Sequence, residues 1–299
     1  MMMPRILMTL LLLLPLPALA VVNVFACEPE WASLAQELGG ELVSVTSATT
    51  GLQDPHHIQA RPSLIARMRK ADLVVCTGAE LETGWLPLLL RRSGNPGVQP
   101  GKPGYFEAAS AVVLMEKPDK LDRAAGDVHA QGNPHIQTNP HNVARVAEQL
   151  AARLAIIDAV HADQYASLYR DFQARWSAAM TRWEQQAAGL QGLHVVVQHA
   201  EWVYFNAWLG LQQVANIEPA PGVPPSSADL QALLTQLKGT PAGLILHSAY
   251  QDGRSAQWLG ERTGIPVVEL PFTVGGNAQI TDLFSLFDAT IQALLAAQS

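Results

Sequence analysis

The feature that most restricts this chain is an alternation of strands and helices that occurs twice and is interrupted once. In the first half, short runs rich in β-branched residues at 22–26, 42–46, 73–76 and 112–115 alternate with helical patterns over 30–38, 63–69 and 85–91. In the second half, runs at 194–198, 213–217, 244–246 and 267–270 alternate with helices over 204–209, 227–237, 255–263 and 281–297. Such alternation predicts a parallel sheet covered by helices. The chain therefore reads as α/β, with two doubly wound lobes over 21–141 and 191–299. Between them, 142–190 carries no strand signal. Val146, Leu150, Leu154 and Ile157, then Leu168, Phe172, Trp176, Met180 and Trp183, recur at helical spacing around a weak break at 158–163. This is one or two amphipathic helices, about 60 Å if continuous, and a helical link holds the lobes rigidly. Its aromatic stripe reads as core.

Residues 1–20 have the anatomy of a cleavable signal peptide: Arg5, an apolar run from Ile6 to Leu14, and the small-x-small triplet Ala18-Leu19-Ala20. The run is short and broken by Pro15 and Pro17, so it does not read as a membrane span. Cleavage after Ala20 exports the chain. Export permits a disulfide between Cys27 and Cys76, each of which ends a strand-like run; in a sheet of order 2-1-3-4 those strands are neighbours. Two free thiols, or a lipid anchor on Cys27, are the other readings.

A chain that is 48% hydrophobic and 15% charged has ample material for a core, which excludes a disordered chain. Its 26 acidic against 19 basic residues argue against a nucleic-acid partner. In so charge-poor a sequence, nine histidines stand out. His56 lies in Asp54-Pro55-His56-His57 after the second strand, His135 in Gly132-Asn133-Pro134-His135 before the central helix, and His199 directly after the strand at 194–198. Doubly wound folds place ligand sites at the carboxyl ends of strands. Three such imidazoles, with a carboxylate or water, make a tetrahedral zinc site. His129, in Gly126-Asp127-Val128-His129, could touch a metal transiently, and His247 ends a strand that could line the cleft. His141, His161 and His194 read as ordinary surface residues.

Asp54-Pro55-His56 with Arg61-Pro62-Ser63, then Gly132-Asn133-Pro134-His135 with Asn139-Pro140, then Val195-Val196-Val197-Gln198-His199 with Tyr204-Phe205 and Leu209-Gly210-Leu211, resemble the metal-binding solute receptors of zinc and manganese ABC importers. The likeness extends to Gly264-Ile265-Pro266-Val267-Val268 and covers nearly the whole mature chain. It implies two α/β lobes joined by a rigid helix with metal between them, and His56, His135 and His199 as ligands. It implies Zn²⁺ as cargo ahead of Mn²⁺, which prefers oxygen ligands. It also implies a periplasmic, monomeric receptor that delivers metal to an ABC permease in the inner membrane, with room for a metallochaperone. Family members often add an acidic ligand from the loop after the last strand. Here that position falls to Glu269 or to water, and the long His-rich loop of many zinc receptors is missing. The rival reading is a secreted zinc hydrolase with Glu201 as base. Against it, the sequence has no His-Glu-x-x-His helix and no Gly-x-Ser-x-Gly elbow, and Glu201 reads as a helix-start residue facing solvent.

Overall fold

The computed structural model describes residues 21–118 and 126–298; the expected leader, 1–20, lies outside them. The first sheet is built from β1 (Val22–Ala26), β2 (Val43–Ser47), β3 (Leu73–Cys76) and β4 (Tyr105–Glu107), in the order β2-β1-β3-β4. Helices α1 (Pro29–Gly39), α2 (Pro62–Lys70) and α3 (Leu86–Ser93) connect and cover it. After the central helices α4 (Pro140–Ile157) and α5 (Ala162–Ala187), the second sheet repeats the plan. Strands β5 (His194–Val197), β6 (Gln212–Asn216), β7 (Leu244–Ser248) and β8 (Val267–Leu270) run in the order β6-β5-β7-β8, with α6 (Val203–Leu209), α7 (Ser227–Gly239), α8 (Arg254–Thr263) and α9 (Leu283–Ala296) around them. Every strand pairing is parallel, so the loops leaving all strands of a sheet emerge on one side.

The fourth strand differs from the sequence expectation. The β-branched run at 112–115 does not pair; β4 forms earlier, where Tyr105, Phe106 and Glu107 lie in register with Val74, Val75 and Cys76. Burial decides the matter. Phe106 is 3% exposed and can seal the sheet edge, whereas Val113 is 81% exposed. The run 112–115 instead crosses toward the second lobe, where the Met115 amide donates to the Tyr204 hydroxyl.

The break near Asp158 is a reversal rather than a kink. A turn at Ala159–His161 folds α5 back along α4, so that the Trp176 indole donates to the Pro140 carbonyl and His141 reaches Glu184. The long connecting helix is therefore α5 alone, 26 residues and about 39 Å. It lies between α1 of the first lobe, where Arg175 pairs with Glu37, and α9 of the second, where the Trp183 indole donates to Asp288. Trp176 stacks on Phe172 and meets Phe284 and Phe287 edge-on.

Three apolar layers result. One lies outside the first sheet under α2 and α3, and one outside the second under α7 and α8. The third is continuous from β1 and α1 through α4 and α5 to β5, β7 and α9, and both lobes share it. Cys27 and Cys76 are bonded across the ends of β1 and β3, fully buried, with Cα atoms 4.7 Å apart.

Candidate metal centre

Each site histidine sits where a β-strand or its following turn delivers it to the cleft. His56 follows β2, in the loop leading to α2. His135 precedes α4, whose start is fixed by Pro140 at its first position and by the Asn139 side chain, which accepts from the His141 amide. His199 follows β5. All three are buried, at 9, 1 and 6% exposure, and one ring nitrogen from each lies within 4.8 Å of the others. Their ring centroids are 5.4, 5.7 and 6.0 Å apart. The rings sit against Phe272, which meets His135 edge-on at 5.5 Å and is itself flanked by Trp202 and Tyr250.

Partly exposed carboxylates orient two of the rings. The Asp54 Oδ1 lies 2.8 Å from Nδ1 of His56, and the Glu218 Oε2 lies 2.7 Å from Nδ1 of His199. A carboxylate on Nδ1 holds the proton there and leaves the Nε2 lone pair free for a cation. The third ring is placed through its backbone. The Asn133 side chain accepts from the His135 amide and donates to the Ala200 carbonyl, next to His199 in the other lobe. Among the described residues, no group satisfies Nδ1 of His135.

Electrostatics separate the rings. Burial, reinforced by neighbouring His56 and His199, pushes His135 well below the ordinary histidine value, so it is neutral and available as a donor. For His199 burial works in the same downward direction. The Glu218 hydrogen bond and the charges of Glu201 and Glu218 outweigh it and raise the ring. Asp54 is lowered, because its bond to His56 and that ring's charge overcome the opposing effect of burial.

A fourth imidazole, His129, reaches the site. Its Nε2 lies 3.3 Å from Nε2 of His56, and its ring centroid is 5.3 Å from that of His56 and 6.4 Å from that of His135. Burial, then the adjacent His56, lower its pKa to about 4. Two nitrogens bound to one tetrahedral Zn²⁺ at about 2.0–2.1 Å stand roughly 3.3–3.4 Å apart; His129 keeps that spacing to His56 but lies outside the set of three rings whose nitrogens are all within 4.8 Å of one another.

Glu269 is not brought to this cluster. It lies in β8 between buried Val268 and Leu270, and strand alternation leaves its side chain exposed on the opposite face. Glu201 is also not where the sequence suggested. It is completely buried, with one oxygen taking the Ser248 hydroxyl and the other the Tyr250 hydroxyl at 2.6 Å, and burial raises its pKa. His247 is buried in β7, with its Nδ1 near the Ser248 carbonyl and outside the cluster. His57 points outward near Asp127. The sequence marks His129 only as a transient metal contact, and it does not single out Glu218, which the structure places behind His199.

Two parallel-sheet lobes joined by a long helix, with imidazoles converging between them, define the class of metal-binding solute receptors of ABC importers. The model of the periplasmic zinc-uptake complex component A family matches residues 24–297, and the chain belongs to that family. Among curated relatives, the metal ABC transporter substrate-binding lipoprotein ScbA of Streptococcus cristatus is 20% identical over 254 residues, spanning 84% of this chain and 80% of that protein. The manganese ABC transporter substrate-binding lipoprotein PsaA of Streptococcus pneumoniae is 21% identical over 251 residues, spanning 81% and 76%. A crystal structure of ZnuA superposes with TM-score 0.77 at 24% identity, covering 93% of this chain and all of that one. FpvC of Pseudomonas aeruginosa, in complex with Mn²⁺, gives TM-score 0.79 at 20% identity over 92% of this chain and 98% of that one. Among the described residues, no helix is long and apolar enough to cross a membrane.

Proposed function

We propose that this receptor captures Zn²⁺ rather than Mn²⁺, holding it with His56, His135, His199 and His129, and delivers it to an ABC permease after export to the periplasm. The observation that carries the reading is the donor set: three buried imidazoles with one nitrogen each within 4.8 Å, and a fourth, His129, whose Nε2 stands 3.3 Å from that of His56. The names of relatives span both metals, including a ZnuA deletion mutant with zinc bound and the manganese protein PsaA, so they do not choose between them. Donor chemistry supports zinc. Imidazole suits zinc, while manganese takes carboxylates, carbonyls and water more readily. In this reading His129 takes the position for which the sequence suggested Glu269 or water.

The receptor reading is also favoured over hydrolysis. Four nitrogen ligands close the coordination shell, whereas a catalytic zinc keeps a position for water. Glu201 is completely buried and each of its oxygens already accepts a hydroxyl, which suits a structural role better than that of a base. Metal analysis of untagged protein, followed by zinc competition titrations of His56→Ala, His135→Ala and His199→Ala, tests the assignment. Affinity should drop at least a hundredfold in each variant; full affinity in all three would overturn it. Zinc-loaded protein is expected to show no metal-dependent turnover of ester or peptide substrates.

A further inference from the structure

His129 lies on a segment that is tied down at two ends. On the second-lobe side, the Asp127 amide donates to the Pro221 carbonyl at 2.9 Å. A side chain at Gly126 would strike that Pro221 carbonyl, so the backbone can approach there only as glycine. On the first-lobe side a carboxylate holds the backbone. The Ala130 amide, next in sequence to His129, donates to the Glu80 carboxylate at 2.6 Å.

Glu80 stands on an unusual piece of backbone. Gly78, Ala79 and Glu80 all have positive φ, at 77, 50 and 69°. Two consecutive non-glycine residues in the left-handed region persist only where surrounding contacts impose it. Those contacts are present. The buried Glu82 carboxylate folds back to accept the Thr77 and Gly78 amides, and the turn follows directly on Cys76, which is bonded to Cys27. The strained turn swings the Glu80 side chain outward to meet the Ala130 amide, while Leu81 and Glu82 return to the interior.

We propose that Glu80 is a positioning residue for metal selectivity, which seats His129 as the fourth nitrogen donor by clamping the Ala130 amide. This rests on the reading of His129 as a ligand. Without the clamp, His129 leaves and water takes its place, which turns a four-nitrogen site into a mixed nitrogen and oxygen site better suited to manganese. Partners that orient ligands from behind typically contribute 10–100-fold in metal affinity.

The probe is Co²⁺, whose visible absorption reports the number and kind of ligands, bound to the full mature chain in wild-type, Glu80→Ala, Glu80→Gln and His129→Ala forms. Glu80→Ala should shift the Co²⁺ spectrum to that of His129→Ala, weaken zinc binding about 10–100-fold and narrow the preference for zinc over manganese. Glu80→Gln keeps a carbonyl acceptor for Ala130 and should restore the wild-type spectrum. If Glu80→Ala keeps the wild-type spectrum while His129→Ala changes it, the clamp is wrong and His129 remains a ligand. If His129→Ala itself keeps the wild-type spectrum, the four-histidine reading fails and the clamp fails with it. Weaker zinc binding by Glu80→Ala with an unaltered Co²⁺ spectrum also overturns the clamp, since it would reflect general destabilisation.

Discussion

Replacing Glu218 by Gln separates the charge behind His199 from its geometry. A single oxygen, Oε2, now accepts both the His199 Nδ1–H at 2.7 Å and the Gly222 amide at 2.8 Å. The glutamine carbonyl can take both donors in the same place, so the substitution removes charge and little else. A hydrogen bond to a charged group contributes about 1.5–3 kcal/mol and a neutral one about 0.5–1.5 kcal/mol. The difference, about 1–1.5 kcal/mol, sets the expected loss of zinc affinity at about five- to twelvefold. It applies nearly unscreened, because the His199 and Glu218 side chains are only 7 and 14% exposed. The pH dependence gives a sharper test. Glu218 helps raise the pKa of His199, so in the wild type a proton competes with the metal for that ring as pH falls. The variant's ring loses its proton more easily, which offsets part of its weaker basicity in acid. The loss should therefore be full near about pH 8 and smaller near about pH 6. Competition titration against a chromophoric chelator at both values measures it. A loss that is equal at the two values, or larger in acid, would refute the role assigned to Glu218.

Three further outcomes follow from the rest of the structure. Cys27→Ala with Cys76→Ala opens a loop with a sequence separation of 49 residues, and the chain-entropy model gives about 4 kcal/mol of lost stability, visible as a lower urea midpoint. Burial raises the Glu30 and Glu82 carboxyls to about 7, so the stability tied to their protonated forms is complete below the ordinary glutamate range and is lost as pH rises through about 7. Thermal midpoints should fall between about pH 5 and about pH 8, and Glu82→Gln should flatten that fall; a midpoint that rises contradicts the assignment. Trp176→Ala, which empties the aromatic stack of α5, should cost about 3–5 kcal/mol by denaturant titration.

Much of this fold could be read before any coordinates. Parallel strands buried on both faces, such as Leu73–Cys76, announce themselves as unbroken apolar runs, and the loops after them were the natural place to look for His56 and His199. The failures have specific physical causes. Val112 to Met115 has strand composition, but pairing depends on which residue can seal the edge of β3, and Phe106 does so from a three-residue strand too short to stand out. The weak break at 158–163 marked where α4 ends, but not that the chain reverses there, because two antiparallel helices and one long helix bury the same stripe. Glu218 was within reach: it follows β6, and β6 lies beside β5, so the two strand ends place Glu218 next to His199. Glu80 was not, since its meeting with the Ala130 amide depends on a turn with three successive positive φ values that composition does not foretell.

The apolar layer shared by both lobes bears on how occupancy could be signalled. Many receptors clamp shut on a ligand, and a transporter can sense the altered angle between their halves. Here α1, α5 and α9 are packed into one core, and hinging the lobes apart would tear open buried aromatic contacts. The binding energy of the ion is then not diverted into drawing two halves together. Opening the lobes would cost more than rearranging the short backbone ties around His129 and Gly222 at the rim of the cleft. In such a molecule the message is local order, and the body serves as its fixed frame.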